Sequence, residues 1–234
     1  MKAVEKAVTS SFSDIQQGES SRPGLRERKK QEKLARIKQA ARKLFEKQGV
    51  EATTIRQIAA AADIGLGTVF SYAANKEDLL VMIFREEVGE TVKSAFESLP
   101  TRGILEQFLH IFDAIVEHHR KYPALARVFV KEIRFIDDRR HEIGEFMKSL
   151  FSGLTRLIDQ AKARGEIRPD VASALLAQNL FSIFFNHLQL WLGGVNPKYE
   201  LEYSQLRDAL ELQLTGLRNS VRPEPRLVRT KRKS

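Results

Sequence analysis

The chain contains no cysteine, which excludes disulfide staples and thiolate metal sites and fits a reducing compartment. It has one tryptophan and only seven prolines among its 234 residues. Its N-terminal residues 1–21 lack the continuous apolar stretch of a signal peptide. The most apolar run, residues 180–192, is broken by Ser182, Asn186, His187 and Gln189, too short and too polar to span a bilayer. No nucleophile-with-base pattern and no phosphate-cradling glycine loop is visible, so an enzyme is not expected. The five histidines stand at 110, 118, 119, 141 and 187 without metal-ligand spacing, and the adjacent pair His118 and His119 point in different directions on a helix. No resident metal or cofactor is expected, and the protein is expected to be cytoplasmic.

What the chain does have is basic charge, unevenly placed. The net charge is +9, of which residues 26–43 contribute +7 and residues 218–234 contribute +6, leaving residues 44–217 at −4. Residues 1–25 are polar, balanced in charge and end near Pro23 and Gly24, which reads as a disordered arm. The first basic cluster abuts the most informative stretch, residues 53–80, TTIRQIAAAADIGLGTVFSYAANKEDLL. Thr54 and Gln57 fit a capping box. Ile55, Ile58, Ala59 and Ala62 then make one apolar stripe at helical spacing, and the small alanines allow close helix approach. Asp63 stands where the chain must turn, and Asp tolerates a left-handed backbone better than most residues. Ile64 plugs the gap between helices, Gly65 caps a helix of about two turns over residues 66–72, and Asn75 caps the next with Glu77 and Asp78 at its positive end. This is a helix-turn-helix, a device that places its second helix in the DNA major groove.

On these residues the chain resembles the TetR family of transcriptional regulators. Residues 37–49, IKQAARKLFEKQG, match that family's first helix, and residues 52–80 match its helix-turn-helix and the start of its linking helix. The resemblance covers about 50 residues; the rest matches in length and helicity only. It implies an all-α fold, with an N-terminal three-helix helix-turn-helix domain and a larger C-terminal helical domain for ligand binding and dimerisation. The expected divisions are an arm at 1–25, a DNA-binding domain at 26–75, a regulatory and dimerisation domain at 76–220 and a flexible basic tail at 221–234. The sequence departs from the family where Asp63 stands for the usual Gly, Gly65 for a frequent Ser, Phe70 for a phosphate-contacting Tyr and Ala73 for an aromatic.

The DNA contacts follow from that placement. Arg56 is placed to reach a base edge, since Arg to guanine is the commonest specific pairing, or else is a solvated helix arginine. Thr68 and Ser71 contact bases or phosphates or are ordinary surface residues. Leu66 meets a thymine methyl group or packs inward. Gly67 allows close backbone approach. Tyr72 and Lys76 resemble the family's phosphate-contacting positions, Thr53 or Thr54 is a further phosphate candidate, and the hydroxyl contact missing at Phe70 is lost or passes to Tyr72. Arg28 and Lys29, in the run with Arg26, Lys30 and Lys33, track the backbone or enter the minor groove.

Downstream, helices are expected at about 76–99, 103–121, 123–137, 140–164, 170–192 and 199–219, punctuated by Pro100, Pro123, Gly165, Pro169, Gly193, Gly194 and Pro197. Residues 137–141 read as a charged turn. The apolar stripes are core first. The resemblance implies that a few of them line a cavity for a hydrophobic or amphipathic small-molecule effector, with Phe108, Ile111, Phe112, Ile115, Phe129, Ile133, Phe151 and Phe184 as candidates. The last two helices carry more apolar surface than one neighbour covers, with Leu176, Leu180, Ile183, Phe184, His187 and Trp191 on one and Leu206, Leu210, Leu214 and Leu217 on the other. Two such helices from each of two chains would make a four-helix bundle, and a twofold dimer would match palindromic DNA. The expected function is therefore a ligand-responsive repressor acting as a homodimer, against a ligand-independent or nucleoid-associated DNA-binding factor.

Overall fold

The computed structural model describes residues 24–133, 141–193 and 203–217. Most of the expected N-terminal arm, residues 137–140 of the charged turn, Gly194, Pro197 and the basic tail lie outside them. Among the described residues there are nine helices and no strand: α1 Leu25–Gln48, α2 Ile55–Ala62, α3 Leu66–Phe70, α4 Lys76–Glu97, α5 Ile104–Lys121, α6 Pro123–Ile133, α7 His141–Ala163, α8 Ser173–Gly193 and α9 Tyr203–Thr215. No described helix is long and apolar enough to cross a membrane.

Helices α1 to α3 form the head. Gly49 ends α1 at φ 80°, a conformation open to glycine at no steric cost, and its N–H returns to the Phe45 carbonyl. Ile37, Ala41 and Phe45 of α1 are buried with Ile58 and Ala62 of α2 and Val69 of α3 in one core. Burying each large side chain contributes about 1.5–3 kcal/mol. The alanines at 59 and 62 are buried, so α2 lies close against its neighbours.

Helix α4 belongs to both head and body. Its first turns bury Leu79 and Leu80 against the head, and its later turns bury Phe84, Val88, Val92 and Phe96 in the body. Helices α5, α6 and α7 pack on it, α8 packs on α6 and α7, and α9 closes against α5 and α8. Helix α7 comes close to α4 at Gly153, where a Cβ would stand 2.6 Å from the Phe96 ring. Two long-range caps fix the body's helix ends. The Glu166 carboxylate accepts the Ile104 N–H at the start of α5 at 2.8 Å, and Arg127 of α6 donates to the Leu192 carbonyl near the end of α8 at 2.8 Å.

The expected dimer stripes are corrected in part. Leu176, Leu180, Phe184, Leu206, Leu210 and Leu214 are all buried inside the single chain, where α8 and α9 meet each other and the rest of the body. Ile183, His187, Trp191 and Leu217 remain half-buried. The large apolar side chains of α8 and α9 that stay exposed are Leu175, Leu190 and Leu212, the last 79% exposed. A helix has more than one apolar side, and spacing alone does not say which side an intrachain neighbour takes.

Candidate functional site

The helix-turn-helix is built from reciprocal backbone caps. The Thr54 hydroxyl accepts the Gln57 N–H at 3.2 Å while the Gln57 side chain accepts the Thr54 N–H at 2.8 Å. At the turn, Asp63 sits at φ 51°, ψ 53°, the left-handed region its short polar side chain tolerates. Arg36 of α1, not foreseen, holds that turn: its Nη2 donates to the Ala62 and Asp63 carbonyls at 2.6 and 3.0 Å and to Asp63 Oδ2 at 3.1 Å. A cation on the last carbonyls of α2 is favoured by the helix dipole. Asn75 accepts the Asp78 N–H at 2.7 Å and starts α4.

Several expected phosphate ligands are engaged inside the chain. Thr53 is corrected outright: it is 1% exposed, and its hydroxyl donates to the Gly49 carbonyl at 2.7 Å, closing the loop after α1. The Tyr72 hydroxyl donates to the Lys30 carbonyl at 3.1 Å, tying the end of α3 to α1. The Lys76 ammonium donates to the Val50 and Glu51 carbonyls at 2.8 and 3.0 Å. The Ser71 hydroxyl donates to the Thr68 carbonyl at 2.7 Å. Arg28, Lys29, Thr54, Arg56, Gly67 and Phe70 lie on the exposed surface, with Leu66 and Thr68 half-buried beside them. The exposed part of the head is thus a basic stretch of α1 next to the outer faces of α2 and α3.

Behind the head a polar junction joins it to the body. Arg42 of α1 donates from Nε to Glu87 Oε1 of α4 at 2.8 Å and stands 3.4 Å from Glu46, with its guanidinium carbon 3.9 Å above the Tyr122 ring at the end of α5. The second oxygen of Glu87 is 3.2 Å from His118 Nε2 of α5. Beside this, Lys38 of α1 reaches both oxygens of Glu86 at 2.7 Å. Sequence spacing gave no signal for these contacts, because α1, α4 and α5 are far apart in the chain.

Deeper still is a cavity of about 30 Å³. Of the expected lining residues it takes Ile115, Phe129, Ile133 and Phe184, together with Val88, His119, Val130, Phe146, Met147, Leu150, Phe181, Phe185 and Leu188. Phe108, Ile111 and Phe112 are corrected: each is fully buried in the core and none lines the cavity, Phe112 stacking behind Phe184 at 4.2 Å. Phe151 is also off its wall, packed edge-on to Phe181 at 5.1 Å. Among the described residues the one titratable wall residue is His119, 1% exposed, whose Nδ1 lies 2.7 Å from the Ile115 carbonyl. A carbonyl only accepts, so Nδ1 carries the proton and Nε2 is left as an acceptor. Burial pushes its pKa down to about 4, with His118 adding to the shift and the Ile115 hydrogen bond opposing it. The two adjacent histidines do face apart: His118 meets Glu87 and His119 the cavity. A larger depression of about 440 Å³ between α4 and α5, bordered by Glu90, Ser94, Ser98 and His110, lies open to solvent and encloses nothing.

An exposed, cation-flanked helix-turn-helix joined through a shared helix and a polar junction to a helical body defines a DNA-binding transcriptional regulator. The comparisons with known proteins agree. A model of bacterial regulatory proteins of the tetR family matches residues 37–83. The fatty acid metabolism regulator protein of Bacillus subtilis is 25% identical over 197 residues, covering 82% of this chain and 99% of that protein. The solved structure of the fatty acid degradation regulator FadR from Bacillus halodurans superposes with a TM-score of 0.61 at 25% identity, over 80% of this chain and 96% of that one. The Thermus thermophilus FadR structure, in complex with lauroyl-CoA, has a TM-score of 0.64 at 24% identity, over 82% and 97% of the two chains. Residues 37–83 thus match the DNA-binding region of the tetR family, and the chain as a whole is similar to regulators that carry that region.

Proposed function

We propose that this regulator is a homodimeric repressor acting in the cytoplasm, released from a palindromic operator by an effector with a long apolar portion of the fatty acyl type. The observation that carries the effector class is the cavity: aromatic and aliphatic side chains from α4 to α8 line it, and among the described residues His119 is its one ionisable wall residue. The likeness to a fatty acid metabolism regulator along nearly all of that protein's length, and to a fold neighbour solved with lauroyl-CoA, points the same way.

At about 30 Å³ the cavity is far below the roughly 300–1,000 Å³ of a ligand-filled pocket. An acyl chain therefore enters only by pushing its walls apart. One wall, Val88, follows directly on the Glu87 that holds Arg42 and His118, so displacing this turn of α4 disturbs the junction to the head. The effector binds the open state better than the closed one, and only that difference shifts operator occupancy. Dimerisation draws its support from Leu175, Leu190 and Leu212, which remain exposed beside half-buried Ile183 and Trp191 and would be covered by the same helices of a second chain.

The narrowness of the cavity also favours a second reading, a DNA reader with a completely filled core and no effector. Titrating lauroyl-CoA into the complex of the protein with its selected operator, followed by fluorescence anisotropy, separates the two. Release that saturates with lauroyl-CoA and not with free CoA supports the effector reading. Undiminished binding across the fatty acyl-CoA series from 8 to 18 carbons would leave the ligand-independent reader.

A further inference from the structure

Helix α3 turns an apolar face outward. Its exposed residues, with the Ser71 that caps it, are Gly67 and Phe70, spaced i, i+3, i+4 and so on one side, while Val69 is sealed beneath them. The Phe70 ring is 51% exposed. Among the described residues about half of the ring is left uncovered, and no Cβ stands at Gly67 to keep a partner away; a Cβ built there meets no atom within 4 Å. The polar side chains that follow Phe70 in the chain are engaged elsewhere, with the Ser71 hydroxyl on the Thr68 carbonyl, the Tyr72 hydroxyl on the Lys30 carbonyl and the Lys76 ammonium on two carbonyls of the loop after α1. Thr68 on α3 itself is half-buried, and Arg56 on the preceding helix α2 is exposed. The occupant of the face is set by its surroundings: exposed Arg28, Lys29, Lys30 and Lys33 on α1 draw a polyanion to the same side of the head, and this is the reading helix of a DNA-binding family.

Thymine alone among the four bases carries a methyl group into the major groove. We propose that Phe70 is a specificity-determining residue that reads thymine C5-methyl groups, with Gly67 giving the ring and backbone a close approach, so that each half-site is discriminated largely by an apolar contact. Covering one methyl group is worth about a fourfold change in affinity, and about 15-fold when both half-sites of a palindrome lose it.

The test uses the full chain and a synthetic duplex carrying the sequence selected from genomic fragments. Each symmetric pair of thymines is replaced in turn by deoxyuridine, which removes only the methyl group. One pair is expected to cost the wild type about 15-fold, to cost Phe70→Ala almost nothing, and to retain a penalty in Phe70→Leu, whose side chain is still apolar. Thermal unfolding of both variants checks that the head still folds, as expected for a half-exposed position. The proposal is overturned if no thymine pair responds, or if a pair responds equally in wild type and Phe70→Ala. It is also overturned if Phe70→Ala weakens random-sequence DNA as much as the selected site, which would make the ring a backbone contact.

Discussion

Replacing Arg42 by Ala strikes the junction between head and body. Its side chain is 16% exposed, holds Glu87 at 2.8 Å and lies 3.9 Å above the Tyr122 ring. A part-exposed ion pair contributes up to about 1 kcal/mol, and the stacked guanidinium about 0.5–1 kcal/mol more. The aliphatic stem adds packing, whereas the buried Nη1, which has no hydrogen-bond partner, subtracts from the total because the truncation relieves it. The net expectation is a loss of about 2 kcal/mol in urea unfolding. Glu87→Gln probes the same contact from the other side, so a double-mutant cycle of the pair isolates it, and a coupling of about 1 kcal/mol is expected. In the operator complex, the ratio of affinities with and without lauroyl-CoA should shrink by several-fold in Arg42→Ala, since the head no longer feels the turn of α4 that borders the cavity. Arg42→Lys should recover little, because an ammonium neither stacks nor holds the carboxylate in the same geometry. Single effects that add within about 0.3 kcal/mol, or an unchanged effector ratio, would refute the reasoning.

Other expectations follow from single contacts. Thr54→Ala removes half of the capping box and should cost about 1 kcal/mol, whereas Thr53→Val should leave the salt dependence of operator binding unchanged, since the Thr53 hydroxyl is sealed on the Gly49 carbonyl. Gly153→Ala drives a methyl group into the Phe96 ring and should destabilise by about 1–2 kcal/mol in urea unfolding, the overpacking outweighing alanine's better helix propensity. His119 should make stability fall as pH drops from 6.5 towards 4, because the unfolded chain takes up a proton there that the buried ring refuses. That difference amounts to about 3 kcal/mol and should be missing from the pH profile of His119→Gln. Asp113, raised to about 6 chiefly by burial, acts in the opposite sense and cancels when the two profiles are subtracted.

The head was legible in the sequence because its determinants are local. The capping box at Thr54 and Gln57, the left-handed turn at Asp63 and the Asn75 cap each lie within four residues of what they bond, and each stands where spacing placed it. The body was legible as helices, punctuated by Pro100, Pro123 and Gly165, but its helix faces were not. Leu176, Leu180 and Leu210 carry the same spacing whether they meet α5 or a second chain, and the structure seals them within one chain. The cavity wall was half found for the same reason: Ile115 and Phe112 stand on one helix at similar burial, and only the arrival of α7 and α8 decides which of them meets empty space. The junction of Arg42, Glu87 and His118 was invisible, since polar residues from three helices give no periodic signal.

The central claim is that a paired head reads a specific palindrome. Purified protein mixed with fragmented genomic DNA, followed by sequencing of the bound fraction, tests it directly. The account predicts one enriched inverted repeat, with half-site centres about 34–36 Å apart or a multiple of that. Recovery of fragments with no shared sequence, retained only at low salt, would contradict it.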